Sequence, residues 1–158
     1  MGNLILASAS PRRKEIMELM GLRFIVQPSQ CEEIITETIP ENIVIQLSRQ
    51  KAIDVAKTAQ PGDVIIGSDT IVVLRQQQQD VSESKEMFEV LGKPKDREHG
   101  FRMLRSMAGR THQVYTGVTI LKLESDGFTD GDQSCHKESP PYEVHSVCWF
   151  SLLYENPQ

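Results

Sequence analysis

The chain of 158 residues has a formal net charge of −5 and a sequence pI of about 5.4, which argues against general nucleic-acid binding because that function needs a basic face. No run approaches the roughly 18 apolar residues of a membrane span, and the N-terminus lacks the cationic region of a signal peptide. Three cysteines without a CxxC spacing predict a reducing, cytoplasmic environment, and the length predicts one domain over residues 1–158.

The order of apolar patterns along the chain predicts an α/β fold. Strands are predicted, from runs of apolar and β-branched residues, over 4–7, 24–27, 64–66, 70–74, 112–123 and 142–153. Helices are predicted, from apolar residues at helical spacing, from Pro11 to before Gly21, over 40–59, and from Asp96 to before Gly109. Polar composition predicts surface loops over 76–88 and 124–141. The Met and Leu residues of the helices, with Trp149 and Phe150, are predicted to be core.

The stretch ASASPRR, residues 7–13, joins the first predicted strand to the first predicted helix. Ser10 is a good N-cap and Pro11 suits the first helical position, so Arg12 and Arg13 lie in the first turn. Cations at this end oppose the helix macrodipole by up to about 1 kcal/mol each. Two arginines beside backbone N–H groups at a strand-to-helix turn therefore predict a site for a strongly anionic ligand such as phosphate.

Two acidic positions follow predicted strands. Asp69 follows the strand 64–66, and we expect Gly67 and Ser68 to turn the backbone and expose its carboxylate at a strand end, where ligands bind in open α/β sheets. The pair Glu32-Glu33 follows the second strand. The alternative is an ordinary Asp in a tight turn and two solvated loop acids.

Two lysines complete the set of candidates: Lys51 in the second helix and Lys93 in the turn LGKP. Each taken alone is an ordinary surface lysine. Together with the arginines they would hold polyphosphate, while the carboxylates would hold Mg²⁺, which takes oxygen ligands and substrate phosphates, or would orient an attacking water. The combination predicts metal-assisted attack on a phosphoric anhydride.

Six segments, in this order, resemble the Maf proteins: LILASASPRRKEIMELMGL, CEEI, QLSRQKA, VIIGSDTIVV, LGKP and MLRSMAGRTHQVYTGV. The resemblance spans residues 4 to about 120. It implies an elongated mixed β-sheet flanked by helices with a central cleft, as in inosine triphosphate pyrophosphatase. It also implies hydrolysis of a nucleoside triphosphate between its α- and β-phosphates, with Mg²⁺ or Mn²⁺, to a nucleoside monophosphate and pyrophosphate.

The resemblance implies these site residues: Ser8, Arg12, Arg13 and Thr70 for substrate binding, and Glu32, Lys51, Asp69 and Lys93 for catalysis. Glu32 and Asp69 are also the implied metal ligands. The pair SPRR and SDT resembles the branch that prefers dTTP and UTP, and sometimes CTP, which makes Arg12 and Thr70 candidates for base selection.

The sequence departs from this family in two places. The glutamine-containing segment before LGKP is atypical, and we expect a tolerated loop. In the family, a strand similar to residues 147–150 is followed by a helix and by a motif that contributes an acid and a glutamine to the cleft. Residues 1–158 do not contain this motif. We therefore expect either a fragment or a protein that has lost part of its site.

Several alternatives stay open. A non-catalytic nucleotide or phosphate sensor would keep the cations without needing Asp69. The tetrapeptide SPRR also resembles minor-groove binders, but one copy in an acidic chain argues against DNA. A zinc site from Cys135, His136, His145 and Cys148 is disfavoured, because His145 and Cys148 would point to opposite faces of a strand. The oligomeric state is open, with a homodimer as one alternative.

Overall fold

The structure, a computed structural model, describes residues 2–75 and 88–123 and the backbone of residues 142–154. The strands are β1 (Leu4–Ala7), β2 (Ile25–Val26), β3 (Val64–Arg75), β4 (Phe88–Leu91), β5 (His112–Leu123) and β6 (Tyr142–Tyr154). The helices are α1 (Pro11–Leu19), α2 (Pro40–Ala56) and α3 (Arg97–Met107). No helix in these ranges is long and apolar enough to span a membrane.

The described strands form one mixed six-stranded sheet in the order β2-β1-β3-β5-β6, with β4 also paired to β3. The pairs β1–β2 and β1–β3 are parallel, and β3–β4, β3–β5 and β5–β6 are antiparallel. This confirms the predicted α/β fold with a mixed sheet flanked by helices. The predicted loop 124–141 lies outside the described residues.

Strand β3 is continuous, so the predicted turn at Gly67 and Ser68 is wrong. Along one edge it pairs with β5 over almost its whole length. Along the other edge it pairs first with β1, up to Gly67, and then with β4, from Val72 onward. Both β1 and β4 run toward the middle of β3 and end there, which leaves a gap beside residues 68–71. The strand β4 was not predicted, because Phe88 lay in the segment interpreted as a loop.

Helix α2 packs across β3 and β5 and forms the core with them. The buried cluster under the C-terminal half of the helix contains Ile5, Ala52, Val55, Ile65 and Leu121. The buried cluster under its N-terminal half consists of Ile43, Val44, Leu47, Ile71, Val73 and Tyr115. Gly67 and Gly117 face the helix backbone directly: a Cβ at Gly67 would overlap the carbonyl oxygen of Ser48, and one at Gly117 that of Val44. The absence of side chains at these two points lets α2 approach the sheet closely.

The helices α1 and α3 contribute little to the core. Met17 is the buried residue of α1, whereas Leu19 is 81% exposed. Helix α3 begins at the predicted cap, where the Asp96 side chain accepts a hydrogen bond from the His99 N–H, but it buries no residue and leaves Phe101 65% exposed. The prediction that the Met and Leu residues of these helices belong to the buried core is therefore wrong for α3. It is also wrong for α1, with the exception of Met17. The prediction for Trp149 and Phe150 lies outside the described side chains.

Candidate active site

A cavity of about 420 Å³ opens at the gap beside residues 68–71 of β3. The loop after β1, residues 8–10, forms one wall, and Lys93, which follows β4, lies at the opposite one. Six of the eight predicted site residues line this cavity: Ser8, Arg13, Lys51, Asp69, Thr70 and Lys93. The convergence of strand ends on this gap explains why segments far apart in the sequence meet here.

Asp69 and Lys51 form the buried base of the cavity. Side chains alternate along a strand, so Asp69 points to the same face as Gly67 and Ile71, which is the face covered by α2. Lys51 comes from that helix, and its Nζ donates a hydrogen bond to Asp69 Oδ1. The Asp69 side chain is 10% exposed and that of Lys51 is 12% exposed. The low dielectric of a buried site makes the Coulomb attraction between the two charges stronger than it is in a surface ion pair.

Glu33 extends this charge cluster toward the mouth of the cavity. Its Oε1 lies 3.1 Å from Lys51 Nζ and 3.5 Å from Lys93 Nζ, and the Lys93 side chain is 87% exposed. Burial alone would raise the pKa of Glu33, but the hydrogen bond and charge of Lys51, followed by those of Lys93, outweigh it and hold the pKa below its ordinary value. Glu33 is therefore a carboxylate at neutral pH.

The acid that lines the cavity is the sequence neighbour of the predicted Glu32. Glu33 lines the cavity, whereas Glu32 is exposed and is not among the lining residues. Cys31 also lines the cavity, so the side chains of this segment alternate between cavity and solvent. That alternation is typical of extended backbone, and the packing of the segment on α2 decides which of the two sides faces the cavity.

Arg13 forms the opposite wall. Its guanidinium donates one hydrogen bond to Ser8 Oγ (3.0 Å) and another to Thr70 Oγ1 (3.0 Å). Thr70 Oγ1 in turn lies 3.0 Å from Thr116 Oγ1 on β5, a contact that the sequence did not reveal. Burial lowers the pKa of Arg13, and attraction to Asp69 partly offsets this, but an arginine remains protonated.

The two predicted arginines are not equivalent. Arg13 is half-buried in the cavity wall, whereas Arg12 is exposed and is not among the lining residues. Neighbouring residues on a helix point about 100° apart, so the two side chains leave the helix in different directions. Ser10, the N-cap residue of α1, lines the cavity, and this places the helix N-terminus in its wall, a location that favours anions.

Two carboxylates, those of Glu33 and Asp69, line the cavity. No group of three or more His, Cys, Asp and Glu side chains able to hold a metal converges in the described part of the chain. Glu33 and Asp69 contact the same ammonium group, that of Lys51, and so lie on one side of the cavity. The side chains of the disfavoured zinc alternative, from Cys135 to Cys148, lie outside the described residues.

Comparison with known proteins decides the family. The model for the family described as Maf-like protein matches residues 3–146. The chain belongs to the Maf-like protein family. This confirms the resemblance found in the sequence motifs.

Three curated relatives of this Maf-like chain share one name. A "dTTP/UTP pyrophosphatase" from Lachnoclostridium phytofermentans is 46% identical, over 80% of this chain and 58% of the relative. The protein of that name from Agathobacter rectalis is 44% identical, over 98% of this chain and 72% of the relative. The one from Clostridioides difficile is 42% identical, over 78% of this chain and 58% of the relative. The chain thus spans about three fifths of the length of most of these relatives.

Proposed function

We propose that this protein is a nucleoside triphosphate pyrophosphatase that acts on dTTP and UTP, releasing a nucleoside monophosphate and pyrophosphate. The observation that carries the proposal is that one cavity brings the Asp69–Lys51–Glu33 cluster together with Arg13. The names of the curated relatives support the same activity and the same pyrimidine substrates.

The cations of the cavity suit a triphosphate chain. Arg13 and the N-terminus of α1 lie on one side, and Lys51 and Lys93 lie on the other. A guanidinium binds phosphate oxygens in a forked geometry, whereas an ammonium acts as a point charge. We assign Arg13, with Ser8, to holding the phosphates, and the two lysines to offsetting the charge that develops on the leaving pyrophosphate.

The carboxylates suit a divalent cation that is shared with the substrate. Asp69 and Glu33 would hold Mg²⁺ or Mn²⁺, because such ions are usually bound through one or two protein carboxylates together with substrate phosphates. When bound, the ion supplies charge neutralisation at the phosphates. The role predicted for Glu32 passes to Glu33 in this proposal, because Glu33 is the acid that lines the cavity.

Asp69 is the proposed general base. The water oxygen forms a bond to a phosphorus of the α–β anhydride, the bridging P–O bond breaks, and the proton of the water passes to the Asp69 carboxylate. Lys51 holds that carboxylate in place through its hydrogen bond. Thr70 contributes to base selection through its position in the cavity wall, and Arg12 remains a predicted contributor that lies outside the lining.

Two further features belong to the proposal. We place the protein in the cytoplasm, since its cysteines have no CxxC spacing and Cys31 is a free thiol. A homodimer stays a prediction, as does the treatment of residues 1–158 as one Maf-like domain.

The test is a pyrophosphate-release assay over the common nucleoside triphosphates. We expect release from dTTP and UTP above that from purine nucleotides, loss of release on chelation, and recovery with Mg²⁺ or Mn²⁺. Release of inorganic phosphate, or activity that survives chelation, would contradict the proposal. Nucleotide binding with no turnover would favour the phosphate-sensor alternative, in which the same cations bind without catalysis.

A further inference from the structure

Residues 29–36 form an extended segment along helix α2, which we call the strap. The strap carries Glu33 and lies outside the helices and strands of the described structure. Its apolar side chains give it little anchorage: Ile34 is 58% exposed and Ile35 is 49% exposed. The position of the strap therefore depends on polar contacts with α2.

The first contact is made by Asp54, which holds the start of the strap. Its Oδ2 accepts hydrogen bonds from Ser29 Oγ (3.0 Å), from the Gln30 N–H (2.9 Å) and from the Cys31 N–H (3.1 Å). Three donors on one carboxylate oxygen fix the backbone just before Glu33. Hydrogen bonds to a charged acceptor are stronger than those between neutral groups.

The second and third contacts are made by two glutamines that precede Asp54 at intervals of four residues. Gln50 accepts from the Ile34 N–H (3.1 Å) and donates to the Ile34 carbonyl (2.6 Å). Gln46 accepts from the Thr36 N–H (3.0 Å) and donates to Thr36 Oγ1 (2.6 Å). Residues four apart lie on one face of a helix, so the side chains of Gln46, Gln50 and Asp54 form a row beside the strap, which we call the ladder.

The ladder has a direct consequence for Glu33. The N–H groups of Cys31 and Ile34, on either side of Glu33, are held by Asp54 and Gln50. Gln50 is also the neighbour of Lys51 in the sequence, so the helix that supplies the ammonium also fixes the backbone of its carboxylate partner. We propose that Gln46, Gln50 and Asp54 are positioning residues for the reaction, which hold Glu33 at the lysines.

This inference rests on the proposed function, because positioning has a measurable effect only if the cavity performs catalysis. The central test variant is Gln50→Met, which keeps the length of the side chain and removes both of its hydrogen bonds. The matched control is Gln27→Met, which removes a side-chain hydrogen bond, from Gln27 Nε2 to Thr58 Oγ1 (2.7 Å), that involves no residue of the strap or of the ladder.

Two measurements separate positioning from stability. In hydrogen exchange, the Ile34 amide of Gln50→Met should exchange roughly five- to tenfold faster, the factor expected for one lost hydrogen bond. In kinetics, kcat should fall by about tenfold to a hundredfold, because misplacement of a catalytic group by about 1 Å has effects of this size. KM and the melting temperature should change little, and Gln27→Met should match the wild type in all of these measurements.

Further variants guard against a misleading result. Gln50→Glu keeps an acceptor for the Ile34 N–H and should recover part of kcat, and Gln46→Met serves if Gln50→Met does not fold. A wild-type kcat in folded Gln50→Met, or a loss of kcat matched by Gln27→Met, would overturn the inference. If the wild-type protein releases no pyrophosphate, the proposed function fails instead, and hydrogen exchange still shows whether the ladder holds the strap.

Discussion

Substitution of Gly67 by alanine should damage both stability and catalysis, because this glycine allows α2 to contact β3. A Cβ at this position would overlap the Ser48 carbonyl oxygen and would lie 2.8 Å from Ala52 Cβ and 2.9 Å from Ala52 N. Ordinary contacts between carbon atoms are 3.5–4.0 Å, so the helix must move away by about 1 Å. Overpacking typically costs about 1–3 kcal/mol, and the upper end applies here because the obstacle is helix backbone.

The movement also reaches the cavity, because Lys51 lies next to Ala52 on the displaced helix. A displacement of about 1 Å should lower kcat by roughly a hundredfold. A loss of about 3 kcal/mol should lower the melting temperature by roughly 6–12 °C in a chain of this size. Calorimetry and the pyrophosphate-release assay measure the two effects separately.

Two other glycines provide the comparison. Gly117→Ala should destabilise similarly, because its Cβ would overlap the Val44 carbonyl oxygen. Gly100→Ala, in α3, should leave kcat unchanged and stabilise by about 0.4–1 kcal/mol, since its Cβ would lie an ordinary 3.4 Å from Pro94 Cβ. A Gly67→Ala protein with the melting temperature and kcat of the wild type would refute this account of helix packing.

Three further substitutions test individual groups. Asp69→Asn should lower kcat by about two to four powers of ten, as expected for loss of a general base, while nucleotide binding without metal, measured by calorimetry, persists; near-normal turnover would remove Asp69 from the mechanism. Arg13→Ala should mainly raise KM, because we expect Arg13 to bind the phosphates equally strongly in the ground and transition states. A change in kcat alone in steady-state kinetics would show that Arg13 acts in the transition state instead. Asp63 is 3% exposed, and hydrogen bonds from the backbone N–H groups of Asn3 and then Gln60 hold its pKa below the ordinary value. The contribution of Asp63 to stability should therefore be complete at neutral pH and be lost as the pH falls below about 4. Urea unfolding of Asp63→Asn should therefore show a loss of about 2 kcal/mol at pH 7 and a smaller loss at pH 3, and an equal loss at both would contradict the assignment.

The sequence predicted elements well where local signals agree. The limits of β1 and β5 match the predicted ranges 4–7 and 112–123, and Pro11 begins α1 as expected. The break predicted at Gly67 is absent because the glycine serves a tertiary contact with α2 rather than a turn. A glycine that allows a turn and a glycine that allows a close helix contact cannot be told apart in the sequence. Only the position of the neighbouring helix distinguishes the two roles.

The candidate site was predictable in part. Asp69 and Lys51 were both recognised, but their direct contact depends on the way α2 crosses β3. The choice between Glu32 and Glu33 depends on which side of the strap faces α2, and neither residue type nor spacing from β2 determines that. The ladder of Gln46, Gln50 and Asp54 was missed for a related reason: its partners are mostly backbone groups, which have no side-chain signature.

The hairpin of β3 and β4 determines where the chain reaches the cavity. Arg75 pairs with Phe88 at one end of this hairpin, and Val72 pairs with Leu91 at the other, beside the gap. The pair Arg75 and Phe88 therefore lies roughly 10 Å along the strand from the gap, at about 3.3 Å per residue. The four residue pairs of this register lead the chain from Phe88 to the gap, where β4 ends and Lys93 follows. A shift of the register by one residue would turn the side chains of β4 to the opposite face of the sheet and displace Lys93 from the cavity.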